Sequence, residues 1–446
     1  FISCLLTFVL ILSLMAPLSV CADGTDTTTV TPDTSWYSNT GTSSAPVTCY
    51  IEDEADLLGF GSLLKTTDFQ YEIIVLKNDI TLTQEWNAEK SGSVAFWGTF
   101  DGQGHTITGL KKTNPTSDYG FIPNAGGCTI KNVTFTDVSI TGSTGATGAV
   151  IGFRGADQDV HFENVHVEGT LSATNQLGGL IGAAGRSFTL YFTDCSFKGT
   201  LTHTGGTDNG VGGLAGSVYA HIEATGCYVK ATIQAKGRAG GVVGSANDVS
   251  TTAGDRSLTV TESYITGSIV STGERVGGIG GRCGKVSLTD VVVAADVQNG
   301  TDYVAAFTAQ CLNSAEASFT RCVFTGNVTS TGSNAGIFTG DGRANVKVNE
   351  CLLLASSAVT LPAASFAKAT TSCAVTAEKL YCDTTVYTGV YTGDESYRAD
   401  LERDPQAWLP KRGLCKSGKG HGSPLRYDLF VDQRCSLQYH RKRLDS

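Results

Sequence analysis

Methionine is nearly absent, with one residue in 446, and proline is scarce, with nine. Charged residues make up only 17%. Little proline and no strict Gly-X-Y period exclude a collagen-type chain despite 54 glycines. No His-Glu-x-x-His helix, Cys-x-x-Cys pair or Gly-x-x-x-x-Gly-Lys-Ser/Thr loop occurs. The sequence patterns of zincin proteases, paired-thiolate zinc sites and phosphate loops are therefore missing. The apolar run at residues 5–15 is too short to span a membrane, and no other stretch is long enough. Basic residues are outnumbered, 32 against 42, for a net charge of −10. The excess is uneven: 36 acidic against 21 basic residues before residue 397, and 6 against 11 from there on. An acidic body disfavours nucleic acid and anionic membrane as partners.

Glycine is abundant, and it recurs in a pattern. A small residue, an aliphatic one and a closing glycine, or a relaxed form of that pattern, return at Gly120, Ala149, Gly179, Gly213, Gly241, Gly278, Ala306 and Gly336, spaced by 29, 30, 34, 28, 37, 28 and 30 residues. A period near thirty means a repeat architecture, in which each unit buries its apolar face only against its neighbours. Each repeat runs on into a segment of alternating apolar and polar residues, as in Cys195-Ser196-Phe197-Lys198-Gly199-Thr200-Leu201. That alternation is strand periodicity, and the Val, Ile, Phe, Tyr and Thr it uses suit a half-buried pleated surface. Two or three short strands per repeat describe one coil of a parallel β-solenoid, eight coils in all.

The repeats predict two inward columns. One is Val133, Val165, Cys195, Cys227, Ser263, Val291, Cys322 and Cys351; the other is Phe135, Val167, Phe197, Val229, Ile265, Val293, Phe324 and Leu353. Around them the chain divides as follows. Residues 1–22 read as a secretory signal, 23–48 as a polar linker, and 49–119 as an N-terminal cap with the first coil. Residues 120–356 are the repeats, 357–396 a ragged last coil, and 397–446 a basic, aperiodic, disordered tail. Within the cap, residues 52–65 predict a helix with Asp53 as N-cap and Leu57, Phe60, Leu63 and Leu64 on one face. Helix plus strands would cover the apolar end of the first coil.

Phe100-Asp101-Gly102-Gln103-Gly104-His105-Thr106-Ile107, followed by the Gly-Gly-Leu-Ile-Gly repeats, resembles the GLUG-repeat proteins over roughly residues 50–355. The resemblance implies a bacterial secreted or cell-surface protein, an adhesin-like right-handed parallel β-helix. It carries no common reaction. The repeat also occurs beside immunoglobulin-A-cleaving metallopeptidase domains, whose zinc helix is absent from this sequence.

Candidate chemistry is sparse. Cys195 and Cys227, Cys322 and Cys351, and Cys283 and Cys311 occupy equivalent places in successive coils. Stacked positions about 4.8 Å apart fall within disulfide reach, but parallel side chains fit the disulfide dihedral poorly, so buried reduced thiols are the expectation. His161, Glu163 and His166 look like a metal motif, yet on a strand His166 points away from the other two. Asp194, Glu262 and Asp290 share one column, joined by Glu350 and interrupted by Gly226 and Arg321. They read as turn residues, but they are also where a pectin-lyase-like enzyme would carry its carboxylates. Outward Thr and Ser at Thr170, Thr200 and Ser268 suggest a flat hydroxyl array, broken at Gln234, Val270 and Asp296.

The expected function is therefore non-enzymatic: a monomeric secreted or surface solenoid that binds an extracellular glycan or a host or cell-surface protein, with no cofactor or metal. The alternatives are a polysaccharide lyase or glycoside hydrolase using Asp194, Glu262 and Asp290, and a spacer shaft. A deep groove lined with charge would favour the enzyme, and a flat polar face would favour binding.

Overall fold

Period-two alternation, repeated every thirty residues, stacks strands in register. Val167 pairs with Phe135 one coil earlier and Phe197 one coil later. The same column runs on through Val229, Ile265, Val293 and Phe324 to Leu353. The computed structural model describes residues 29–382 apart from 89–91, 93, 156–157, 247–255, 300–301, 313–315, 331, 333, 343–344, 354–358, 361–366, 370–374 and 379. Residues 1–22, read above as a signal, the basic segment 397–446 and residues 247–255 lie outside the described residues. Phe1–Thr31 forms one unit, of which residues 29–31 are described and hold no helix or strand. Pro32–Ser446 forms the other. No helix among the described residues is long and apolar enough to cross a membrane.

The second unit is an all-β parallel solenoid of about eight coils. Every strand pairs with its equivalents in adjacent coils, within one 31-stranded sheet and one sheet of seven short strands. A single coil shows the plan. The short strand Gly210–Gly212 turns tightly through Gly213 and Leu214 into the long strand Ala215–Thr225. Gly226 makes a corner, and Tyr228–Ala235 closes the coil. A glycine opens six of the eight repeats, and coils touch backbone to backbone there. A Cβ on Gly213 would lie 2.1 Å from the carbonyl oxygen of Gly241. Described pieces of the last segment, Val359–Thr360, Ala367–Ala369, Val375–Glu378 and Tyr381–Cys382, continue the ladder.

The helix forms at Glu54–Leu63, with the Asp53 side chain accepting from the Asp56 N–H as its N-cap. Its burial is broader than one face. Leu57, Leu58, Phe60 and Leu64 are buried while Leu63 is only half-buried. The reason lies in residues 32–46, read above as linker: Asp33 donates its N–H to Ala55 O and crosses the helix at Gly59. Phe60 meets Phe69, Phe96, Phe100 and Phe121 on the other side. The strands Val47–Ile51, Glu72–Leu76 and Thr99–Asp101 begin the solenoid sheet beneath it.

Two histidines are packed into the coils. His203 is 3% exposed and sits in register with Ala173. Burial pushes its pKa down, and so does nearby Lys236. His166 is lowered the same way, by burial and then Lys198. A histidine whose folded pKa lies below its unfolded value of 6.5 binds more protons when unfolded. Its contribution is intact above that value and is lost as pH falls below it. Thermal midpoints should therefore drop between pH 7.5 and 5.5, and His203→Leu should flatten the dependence. An unchanged slope in that variant would refute the assignment.

Candidate functional site

The acidic column is a line of corners. Asn132, Asn164, Asp194, Gly226, Glu262, Asp290, Arg321 and Glu350 all have φ between 49° and 67°. This left-handed region favours Gly, Asn and Asp, whose short polar side chains bond locally. Asn132 Nδ2 donates to Asp101 Oδ1 at 3.1 Å, and Asn164 Nδ2 to Asn132 Oδ1 at 3.3 Å. Asp194 and Glu262 are separated by the coil carrying Gly226, whereas Glu262 and Asp290 stand in successive coils. Asp290 is not free for acid–base work. Arg321 forks onto it, Nε to Oδ1 at 2.7 Å and Nη2 to Oδ2 at 2.6 Å. These side chains are 27% (Arg321) and 17% (Asp290) exposed, and the pairing raises the Arg321 pKa.

The cysteine column serves the same corner. Each thiol follows a left-handed residue and donates to the carbonyl two residues back. Cys195 bonds Thr193 O at 3.3 Å, Cys322 bonds Thr320 O at 3.5 Å, and Ser263 Oγ does the same to Thr261 O at 2.8 Å. Each of these thiols also reaches a carbonyl of the preceding coil, as Cys195 reaches Phe162 O and Cys351 reaches Phe319 O. Eight cysteines, Cys227, Cys283 and Cys311 among them, are buried and unbridged. Burial pushes Cys128, Cys227 and Cys283 up to about 12, so they carry no thiolate at neutral pH.

His161 and Glu163 lie on one strand before the Asn164 corner, and His166 lies beyond it. His166 is held by Asn164 Oδ1 at 3.0 Å and Ser196 Oγ at 2.9 Å. Among the described residues no three His, Cys, Asp or Glu side chains converge as a metal site would require.

What the structure adds is an open recess of about 520 Å³ on the first coils, lined by Trp97, Thr99, Thr129, Gln158, Asp159 and His161, together with Gly98, Gly127 and Cys128. Along its floor Thr99, Thr129 and His161 stack in register as one outward column. Tyr191 extends that column one coil beyond the recess, and the His161 and Tyr191 rings lie 4.6 Å apart and nearly parallel, at 6°. Trp97 comes from the cap, anchored by its backbone N–H donating to Asp68 O. Its ring lies over Gly126, where a Cβ would stand 2.3 Å from it. Asp159 is fixed by accepting from the Thr189 N–H at 2.7 Å. The described lining holds one carboxylate, whereas glycoside hydrolysis ordinarily uses two. It offers instead aromatic faces beside hydroxyl and amide groups, the composition of a site that binds an amphipathic polar ligand.

No protein-family model matches the chain, and no curated protein does. Among solved structures it is similar to a candidate immunoglobulin A1 protease from Bacteroides ovatus, at 19% identity and a TM-score of 0.46, over 62% of this chain and 86% of that one.

Proposed function

We propose that this chain is a secreted or cell-surface solenoid of the GLUG-repeat type that binds a glycan without cleaving it. The observation carrying the reading is the recess between Trp97 and His161, where aromatic rings, hydroxyl and amide groups and a single carboxylate, Asp159, line one floor. Sugars present apolar C–H faces and hydroxyl edges, which such a floor matches. The rival reading, a polysaccharide-cleaving enzyme centred on Asp194, Glu262 and Asp290, is disfavoured by the corner geometry and by the Arg321–Asp290 pair.

The test is a glycan-binding screen that reads product release in the same wells. Retention without release is the expected result. Tyr191→Ala removes one half of the ring stack and should weaken retention by about tenfold, roughly 1.4 kcal/mol. Unsaturated or reducing-end products would instead establish the enzyme. Full retention by the variant would move the site elsewhere.

A further inference from the structure

The threonines of the second-strand face do not form an unbroken array. Thr170, Thr200, Thr232 and Ser268 stack in register, but Asp296 follows them. The unbroken column lies one face earlier. Thr193 pairs with Thr225, Thr225 with Thr261, Thr261 with Thr289, and Thr289 with Thr320. Five threonines thus stand in five successive coils, all at least partly exposed. None of their hydroxyls makes a hydrogen bond to another described residue. The column starts on the strand that carries Tyr191, two residues farther on and on the same face, so it runs along the shaft beside the line that extends the recess column from Tyr191 to Glu223. At about 4.8 Å per coil, four steps extend it by roughly 19 Å.

Charge narrows the partner. On one side of the strip the adjoining outward column reads Glu223, Thr259, Ser287 and Ser318, and on the other the corner residues Asp194, Glu262, Asp290 and Arg321 directly follow the threonines, so carboxylates outnumber the single cation, which is itself paired with Asp290. With a net charge of −10, the chain repels a polyanion. The β-branched threonines are stiff at χ1, and the ladder holds them at a fixed repeat, so little order is lost on binding. We infer that the ligand is a linear, uncharged polysaccharide lying along the solenoid axis, one end in the recess and its hydroxyl edge on the threonine column. This inference rests on the glycan reading of the recess.

Its test compares chain lengths on the whole protein. Mixed-linkage β-glucan, xylan and mannan are offered as polymers and as their trisaccharides, with polygalacturonate as the charged probe. A variant carrying Thr225→Val, Thr261→Val and Thr289→Val keeps β-branched shape and strand preference while removing three hydroxyls. A neutral polymer should bind at least about tenfold tighter than its trisaccharide, as extended contact requires. The triple variant should lose that advantage and keep trisaccharide binding, which also demonstrates that it folds. Equal binding of polymer and trisaccharide, undiminished polymer binding by the variant, or preference for polygalacturonate overturns the column as the site while leaving the recess in place. Failure of every glycan overturns both readings.

Discussion

Gly179→Val is expected to cost about 4 kcal/mol or more, at the destabilising extreme of single substitutions. A Cβ at Gly179 would fall 2.0 Å from the carbonyl oxygen of Gly213 and 2.5 Å from the Phe197 ring. One of those is backbone of the next coil, held by its own ladder: Gly213 N–H donates to Gly240 O, and Leu214 N–H to Val242 O. It cannot yield without breaking that ladder. The other is a core ring at zero exposure. In a solenoid each unit is stabilised by its neighbours, so prying coils 179 and 213 apart removes an interface that nothing else replaces. Gly185→Ala is the matched control, because its Cβ meets only Arg154 O, at an ordinary 3.4 Å. Thermal unfolding followed by circular dichroism should show a large drop for the first variant and a change within about 0.5 kcal/mol for the second. Similar midpoints for the two would mean that the opening glycines do not set coil spacing.

The solenoid was legible because two periods reinforce each other. Alternation within a strand says which residues face inward, and the thirty-residue repeat says which of them meet. Phe135, Val167 and Phe197 needed no further information to be stacked. Asp53 was legible as a helix cap for an equally local reason. The corner column was half legible. The acidic residues read as turn residues because Gly226 and Arg321 interrupt their column, whereas Asn132 and Asn164, residue types that tolerate positive φ, were the unused local signal. The fork of Arg321 onto Asp290 was not legible, since pairing across coils depends on rotamers that the alternation leaves open. The recess was invisible for a different reason. Trp97 belongs to the cap, outside the repeat, and reaches the floor only because Gly126 leaves space for its ring. The threonine column was in plain sight at Thr225, Thr261 and Thr289. It passed unnoticed because threonine is an ordinary strand residue and only registered stacking distinguishes it.

Phe60→Ala should unseat the cap, at a cost of about 3–5 kcal/mol. Phe60 has no exposure, and its ring lies 5.2 Å from Phe69, 5.9 Å from Phe96 and 5.6 Å from both Phe100 and Phe121. Phe121 passes the contact on, to Trp86 at 5.1 Å and to Phe135 at 5.1 Å, and Phe135 heads the inward column of the shaft. Trp86 is in turn fixed by its indole N–H to Phe121 O at 3.0 Å and by the Tyr119 hydroxyl donating to its carbonyl at 2.7 Å. Removing the ring at the centre of this cluster leaves a cavity that backbone on both sides prevents from closing. The damage should be local, because a coil feels its neighbours and not the far end of the stack. Amide exchange should therefore accelerate at Glu72–Leu76, Thr99–Asp101 and Ile122–Ala125, and change little at Lys285–Thr289. Phe60→Leu should recover part of the loss. Acceleration spread evenly from Glu72 to Thr289 would mean that the solenoid unfolds as one unit, and the helix would then be a nucleus for the whole shaft instead of a lid on its first coil.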